Sequence, residues 1–292
     1  MSNLRQHAPA LSDTPPEIEM IQVALLRQAT VTKRIRLARS LSQTTMQLFR
    51  RAWREAHADA NKMEVLLTSV TLNYGVELAE RLRDHLRVMG EEEISMSQPD
   101  ILLALSPVVD AFEQLGIDYY IGGSVASSAH GVPRSTVDID LVADLHEERV
   151  ARFVERLQDA YYVDDQMIRQ ALARRGSFNL IHFATMLKVD VFIPKARAFD
   201  REVAHRTEAH ALDEGEEART FYFASSEDVI LAKLEWYRAG GEVSERQWSD
   251  VLGVMKVQAQ TLDFDYLKRW AEQLSLGDLL ARALAEAAIE SH

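Results

Sequence analysis

Two aspartates, Asp138 and Asp140, lie two positions apart in an otherwise apolar run, Val-Asp-Ile-Asp-Leu-Val. Side chains two positions apart on a β-strand project from the same face, so this spacing predicts two neighbouring carboxylates. Carboxylates placed together repel each other and lose hydration, which favours a neutralising partner. Mg²⁺ is such a partner, since proteins commonly hold it with one or two carboxylates and substrate phosphates. We therefore predict a site for Mg²⁺ or Mn²⁺ on this strand.

A pattern suited to phosphate precedes the aspartates. An apolar segment ends in Gly122-Gly123-Ser124, and a helix of small residues is predicted to follow. Glycine lets the backbone approach a ligand closely, and the first turn of a helix offers unpaired N–H groups to an anion. Ser124 can cap this helix or donate to a phosphate oxygen, and Arg134 carries a planar group that matches phosphate. Phosphate and metal ligands are thus predicted within one strand–helix–strand unit.

These motifs carry a family resemblance. The GGS segment, followed by the run Arg-Ser-Thr-Val-Asp-Ile-Asp at 134–140, resembles the core signature of the DNA polymerase β-like nucleotidyltransferase superfamily. With Gly131, Arg134 and Thr136 ahead of Asp138, it is similar to the minimal and abortive-infection (AbiEii-type) nucleotidyltransferases. The resemblance covers roughly residues 100–290 and extends to the segment 225–255, which resembles the helical region after the catalytic sheet.

The resemblance implies a third carboxylate on a neighbouring strand. Asp190, inside the apolar run 186–193, is assigned that role. The implied catalytic residues are also the implied ligands of Mg²⁺ or Mn²⁺: Asp138, Asp140 and Asp190. The residues implied to bind the nucleotide are Gly122, Gly123, Ser124, Arg134, Thr136 and Lys233.

The implied activity is the metal-dependent transfer of a nucleoside monophosphate from an NTP to an acceptor hydroxyl, an EC 2.7.7-type reaction. The acceptor expected from the resemblance is RNA, such as tRNA, or a protein, in a toxin–antitoxin or defence setting. Two alternatives stay open: a small-molecule nucleotidyltransferase of the aminoglycoside type, and a catalytically silent binding module with the same fold.

Composition narrows the class of protein. The chain has 292 residues, 47% hydrophobic and 27% charged, with a net charge of −12 and no cysteine. It can therefore form no disulfide and no thiolate metal site. No apolar run approaches the ~20 residues that span a bilayer, and the N-terminal segment lacks the apolar core of a signal peptide. These features predict a cytoplasmic protein.

Hydrophobic periodicity predicts an α+β protein in three parts. Residues 1–15 are expected to be a disordered leader, and residues 16–95 a small helical domain of five helices with breaks near 30, 42, 61 and 76. Residues 96–292 are expected to form a nucleotidyltransferase-fold domain. It would comprise a mixed sheet with flanking helices and a C-terminal helical bundle. Strands are predicted at 119–121, across the two aspartates, and at 178–183, 186–193 and 220–224.

Charge is distributed unevenly along the chain. Residues 1–97 contain 13 basic and 12 acidic residues, whereas the remainder contains 20 and 33. No acidic residue lies between Glu19 and Glu55, where eight Lys and Arg residues occur. This basic stretch could bind RNA phosphates, or it could dock onto the acidic second half. With the family resemblance, the helical domain is expected to be a fused regulator, such as an antitoxin-like cap, or an RNA-binding module that uses the basic stretch.

Four further side chains have two interpretations each. Lys188 shares the face of Asp190 and would either meet a phosphate or form an ion pair. Arg246 and Asp250 are four apart on a predicted helix, where they would pair with each other unless they serve the site. His182, in an apolar strand, would be a hydrogen-bonded core residue or a ligand, and the first is expected.

Overall fold

A computed structural model describes residues 14–57, 61–89, 100–214 and 218–289. Helices form the first part, as expected: α1 Pro16–Gln28, α2 Val31–Ala56, α3 Lys62–Tyr74 and α4 Val76–Met89. The predicted break near residue 42 is wrong, because α2 is one continuous helix. Ser42 is buried inside α2 and donates its hydroxyl to the carbonyl oxygen of Ala38. Thr30 caps α2 by accepting the N–H of Lys33, as its residue type predicts.

The second part opens with α5 Ile101–Leu115, capped by Asp100. The strands that follow form one seven-stranded mixed sheet with the order β3-β4-β5-β2-β1-β7-β6. Their bounds are β1 Tyr119–Ile121, β2 Asp138–Ala143, β3 Tyr161–Tyr162, β4 Ser177–His182, β5 Lys188–Phe192, β6 Glu208–Ala211 and β7 Thr220–Phe223. All the predicted strands are present, whereas β3 and β6 were not predicted. The α+β class is confirmed.

Helices flank the sheet. Between the strands lie α6 Gly123–His130, α7 Val150–Leu157, α8 Asp165–Arg174 and α9 Ala198–His205. The C-terminal helices, all predicted, are α10 Ser226–Ala239, α11 Glu245–Gln258, α12 Phe264–Gln273 and α13 Gly277–Glu286. No helix in the described ranges is both long and apolar enough to cross a membrane.

The two faces of the central strands differ in burial. On β2 and β5, the apolar residues that alternate with the aspartates are 0% exposed and belong to the main core: Ile139, Leu141, Val189 and Val191. Helix α5 packs near these two strands. The opposite face carries the aspartates, which are half-buried. The alternation predicted from the sequence is therefore present, with one face in the core and the other reserved for polar groups.

Helix α11 packs closely against the end of α6, where a glycine leaves room for it. A Cβ atom on Gly131, which follows α6, would lie 2.7 Å from the backbone nitrogen of Val254 on α11. Such a distance is shorter than real Cβ contacts allow, so this approach requires glycine. As a result, the polar face of α11 lies beside the loop that leads into β2.

The N-terminal helices pack against the second part of the chain. Ile35 of α2 belongs to the main core, and α3 and α4 share a second core cluster with residues of β3, β4 and the turn after β4. Most basic side chains of the stretch between Glu19 and Glu55 take part in this packing. Five of its arginines bond to residues beyond 97, namely Arg27, Arg34, Arg36, Arg39 and Arg50. The docking interpretation is therefore correct for these five side chains.

Part of the expected domain division lies outside the described residues. The leader falls there except for Thr14 and Pro15, and so does the predicted linker after residue 89. The boundary at 95/96 stays a prediction.

Candidate active site

The three predicted carboxylates lie together on one face of the sheet. Strands β2 and β5 are parallel neighbours, and their register places Asp140 directly beside Asp190. Asp138 shares the face two positions earlier and lies opposite Lys188. One buried oxygen of Asp138, Oδ1, has no hydrogen-bond partner among the described residues. A buried and unpartnered carboxylate oxygen is costly unless a ligand completes its coordination.

Helix α6 begins against Asp140. The backbone N–H of Gly122 donates to the carbonyl oxygen of Asp140 at 2.9 Å, and the N–H of Ser124 lies 3.4 Å from its Oδ2. Gly123 has φ +52°, and a Cβ there would lie 1.7 Å from Oδ2 of Asp140. The Gly-Gly pair therefore serves the turn and also admits the carboxylate to the helix start. Burial raises the pKa of Asp140, and the nearby charge of Lys233 opposes this.

Asp190 forms an ion pair with Lys188, whose Nζ lies 2.7 Å from Oδ2. Both side chains are 18% exposed. Burial raises the pKa of Asp190 to about 6, although Lys188 acts in the opposite direction. Of the two interpretations for Lys188, the structure shows the ion pair.

The cations expected at the phosphate site converge on Asp250 of α11. Arg134 binds it with two hydrogen bonds, Nε to Oδ1 at 2.7 Å and Nη2 to Oδ2 at 2.9 Å. Lys233 of α10 donates to Oδ2 at 2.7 Å. Arg134 also donates to the hydroxyl of Ser124 at 2.6 Å, which ties this group to the start of α6.

The electrostatics of this cluster follow from its burial. Side chains of Lys233 and Asp250 are 6% and 4% exposed. Burial alone would raise the pKa of Asp250, but the hydrogen bond from Arg134 and the charge of Lys233 hold it below its usual value. The cluster contains two cations and one anion, and its net positive charge lies beside the start of α6. That charge and the helix N-terminus both favour a bound phosphate.

The N-terminal helices hold the residues just before Asp138. Ser42 of α2 accepts the backbone N–H of Thr136 at 2.9 Å. Tyr74 of α3 donates to the carbonyl oxygen of Val137 at 2.9 Å, with the carbonyl oxygen of Met186 at 3.2 Å. The Tyr74 hydroxyl thus bridges the starts of β2 and β5. Burial, followed by the charge of Asp138, raises the pKa of Tyr74 far above its usual value, so the hydroxyl stays protonated.

The residues fit a divalent cation in chemistry and only partly in arrangement. Three carboxylates with one unpartnered oxygen supply hard oxygen ligands of the kind that Mg²⁺ prefers. Within the ranges that the structure describes, however, no group of three or more His, Cys, Asp or Glu side chains is arranged to hold a metal ion. At Asp190, the ion pair with Lys188 engages one of the two carboxylate oxygens.

Some predicted site residues have other partners. Thr136 donates its hydroxyl to the backbone carbonyl of Asp138, so its contact is with the strand. The expected pair of Arg246 and Asp250 does not form, because Asp250 is directed at Arg134 and Lys233 while Arg246 is exposed. His182 is a buried residue bonded to Thr185, as expected, and burial lowers its pKa to about 4.

Three contributors to the site could not be assigned from the sequence. For Asp250, the sequence allows either a pair with Arg246 or a place in the site. Ser42 and Tyr74 gave no local signal, since a lone serine or tyrosine in a helix has many uses. Their contacts join positions 94 and 63 residues apart along the chain. A pattern confined to one element cannot reveal such pairs.

No protein-family model matches the sequence, and no curated protein matches it. Several solved structures are similar to part of the chain. A solution structure of the antibiotic-resistance factor ANT(2'')-Ia is 14% identical with TM-score 0.36, over 64% of this chain and 94% of that chain. A crystal structure of ANT(2'')-Ia in complex with adenylyl-2''-tobramycin is 12% identical with TM-score 0.40, over 60% and 96%. An antigenic nucleotidyltransferase-like protein from Paracoccidioides brasiliensis is 14% identical with TM-score 0.36, over 62% and 90%.

These neighbours are nucleotidyltransferases or similar to them. At such identities and TM-scores, the likeness carries no conclusion about activity or substrate, and none of the neighbours points to the AbiEii-type subfamily.

Proposed function

We propose that this protein transfers a nucleoside monophosphate from an NTP to an acceptor hydroxyl. The observation that carries the proposal is the parallel register of β2 and β5. This register sets Asp140 beside Asp190, with Asp138 on the same face. The start of α6 and the cations around Asp250 lie against the same residues. Carboxylates for a metal and donors for phosphate therefore meet at one place.

The phosphate donors divide into backbone and side-chain groups. The turn at Gly122 and Gly123 and the N–H of Ser124 would meet the β- and γ-phosphates at the start of α6. Arg134 and Lys233 would supply positive charge, with Asp250 as the positioning residue that aligns both cations. Thr136 would act through the backbone of Asp138, where its hydroxyl is bonded.

We propose Asp138, Asp140 and Asp190 as the ligands of Mg²⁺ or Mn²⁺. Such ions, when bound, lower the barrier by neutralising charge on the reacting phosphate and on the leaving pyrophosphate. The protein itself would contribute the relative positions of the three carboxylates, fixed by the β2–β5 register.

In the proposed reaction, the acceptor oxygen forms a bond to the α-phosphorus. The bond from that phosphorus to the bridging oxygen of pyrophosphate breaks, and pyrophosphate leaves. The hydroxyl proton goes to Asp190, which is the carboxylate farthest from the α6 side of the row. Lys188, now paired with Asp190, would turn toward a phosphate or solvent at that stage.

The acceptor class remains that implied by the sequence resemblance: RNA such as tRNA, or a protein, in a toxin–antitoxin setting. The internal bonding of five arginines of the basic stretch argues against a broad RNA-binding face there. The contacts of Ser42 and Tyr74 favour a regulatory or positioning role for the N-terminal helices, because they hold the strand that carries Asp138.

The test is a transfer assay with each α-³²P-labelled NTP and Mg²⁺. Total cellular RNA, the protein itself and an aminoglycoside serve as separate acceptors. We expect label on RNA or protein with the wild type and no label with Asp138→Ala. That variant should fold normally, because it removes a carboxylate that has an unpartnered oxygen. Asp144→Ala is the matched control, since this exposed aspartate follows the end of β2 and should leave transfer unchanged.

Label on the aminoglycoside alone would replace the macromolecular acceptor with a small molecule. An absence of label on every acceptor, with NTP still bound, would favour a silent binding module. Undiminished transfer by Asp138→Ala would refute the site assignment.

A further inference from the structure

An apolar row of side chains borders the carboxylates. The sheet register aligns Tyr120 on β1, Val142 on β2 and Phe192 on β5. Val142 and Phe192 each lie two positions beyond a catalytic aspartate, Asp140 and Asp190, and so share their face. Residues two apart on a strand are separated by roughly 7 Å. The apolar row is therefore adjacent to the proposed reaction centre.

Part of this row is open to solvent. Leu141 and Val191, their neighbours on the opposite face, are 0% exposed. Val142 and Phe192 lie on central strands of the sheet yet are only half-buried. Neither belongs to the main core cluster. Apolar side chains at the centre of a sheet that stay partly open to solvent mark a place where a ligand can complete the packing.

Trp236 lies beside Phe192 at the end of this row. It belongs to α10, one turn after Lys233, and it is 56% exposed. Its ring centroid is 5.8 Å from that of Phe192, with the planes at 67°. In this edge-to-face contact the edge of one ring meets the face of the other, and more than half of the Trp236 side chain stays exposed. The preceding residue, Glu235, is paired with Arg197, whose Nη1 lies 2.5 Å from its Oε1.

The loop that carries Arg134 precedes the carboxylates of β2, and Val142 and Phe192 follow the carboxylates on β2 and β5. A nucleoside triphosphate has the same order, with its β- and γ-phosphates at one end, the α-phosphate between, and the base at the other end. With its α-phosphate at the carboxylates, the base would reach the aromatic pair.

We propose that Trp236 and Phe192 form the subsite for the nucleobase of the NTP, with the base stacked on the free face of Trp236. This assignment rests on the proposed function and specifies how that site takes its substrate. Stacking on an aromatic side chain is available to every base, since each has a flat π-face. The subsite would therefore add affinity for all four NTPs over a bare triphosphate.

The experiment compares the binding of each NTP with that of tripolyphosphate, in Mg²⁺ and without acceptor, by calorimetry and tryptophan fluorescence. We expect the wild type to bind NTPs about tenfold or more tightly than tripolyphosphate, with quenched fluorescence. Trp236→Leu should lose this advantage and the quenching but bind tripolyphosphate as the wild type does. Trp236→Phe should recover part of the advantage. Trp53→Leu, a change of a half-buried tryptophan on α2, is the matched control and should behave as the wild type.

Unchanged NTP affinity in Trp236→Leu would overturn the base subsite and would favour contact of the aromatic pair with the acceptor instead. The proposed function would still stand in that case, as long as tripolyphosphate binds. Failure of the wild type to bind either tripolyphosphate or NTP would overturn the proposed function itself, and the base subsite with it.

Discussion

Two helical regions hold the segment that leads into β2, and they do so by different means. On the C-terminal side, Asp250 of α11 binds Arg134 with two charged hydrogen bonds. On the N-terminal side, Ser42 and Tyr74 bond to the backbone of Thr136 and Val137 through neutral hydroxyls. The row of aspartates begins with the next residue, Asp138.

The charged contacts can take part in the chemistry of the site, whereas the neutral contacts only position the chain. The charges of Arg134 and Lys233 act at a distance and can attract a phosphate, whereas a hydroxyl bonded to a backbone carbonyl fixes geometry alone. Buried charges also depend strongly on each other, because removing one leaves its partners uncompensated. A neutral bond lost from the N-terminal side should cost about 1 kcal/mol. The two regions should therefore respond to mutation with very different magnitudes.

The largest effect is expected for Asp250→Ala. This change leaves Lys233 buried without its anion and Arg134 without its two bonds, so it should destabilise the protein by about 3–5 kcal/mol. Chemical denaturation measures the loss. Asp278→Ala is the matched control, because Asp278 pairs with Arg238 on the exposed surface and should leave stability nearly unchanged. Comparable losses for both variants would show that the Asp250 cluster is no stronger than a surface ion pair.

A smaller effect is expected for a substitution in the turn at the start of α6. Gly123→Ala places a methyl group where Oδ2 of Asp140 now lies, and it forces alanine into φ +52°. We expect a loss of about 1–2 kcal/mol from the backbone conformation alone and the loss of nucleotide transfer as Asp140 is displaced. Gly277→Ala is the control, since a Cβ on this glycine would meet no atom within 4 Å and it lies outside the proposed site. Equal transfer by the two variants would contradict the close approach of α6 to Asp140.

The smallest effect is expected for Tyr74→Phe. The ring stays in place, but the hydroxyl no longer donates to Val137 and Met186 or accepts the N–H of Lys188, so stability should fall by about 1 kcal/mol. Transfer should decrease severalfold through the shifted start of β2, while tripolyphosphate binding should remain unchanged. Tyr222→Phe, which removes a hydroxyl from a half-exposed side chain, should have no effect. A loss of tripolyphosphate affinity in Tyr74→Phe would show that the N-terminal helices contribute to the phosphate site itself.

The amino-acid sequence determined the central unit of this protein. The period-two spacing of Asp138 and Asp140 required them to share a face once the segment became a strand. The Gly-Gly-Ser turn predicted the start of a helix, and α6 begins there. The later apolar run identified the strand of Asp190, and its parallel pairing with β2 confirms the expected neighbourhood. These features are local, because strand alternation and helix capping depend on residues close together in the chain.

Only the tertiary structure decided which distant groups complete the site. An isolated helix favours a pair of Arg246 and Asp250, whereas in the folded chain Asp250 binds Arg134 instead. The break predicted near Ser42 is absent, and that serine instead meets Thr136. The register likewise aligns Phe192 with Val142, and helix packing sets Trp236 beside it. Such contacts join residues far apart in the chain, so they arise from packing and leave no pattern within any one segment.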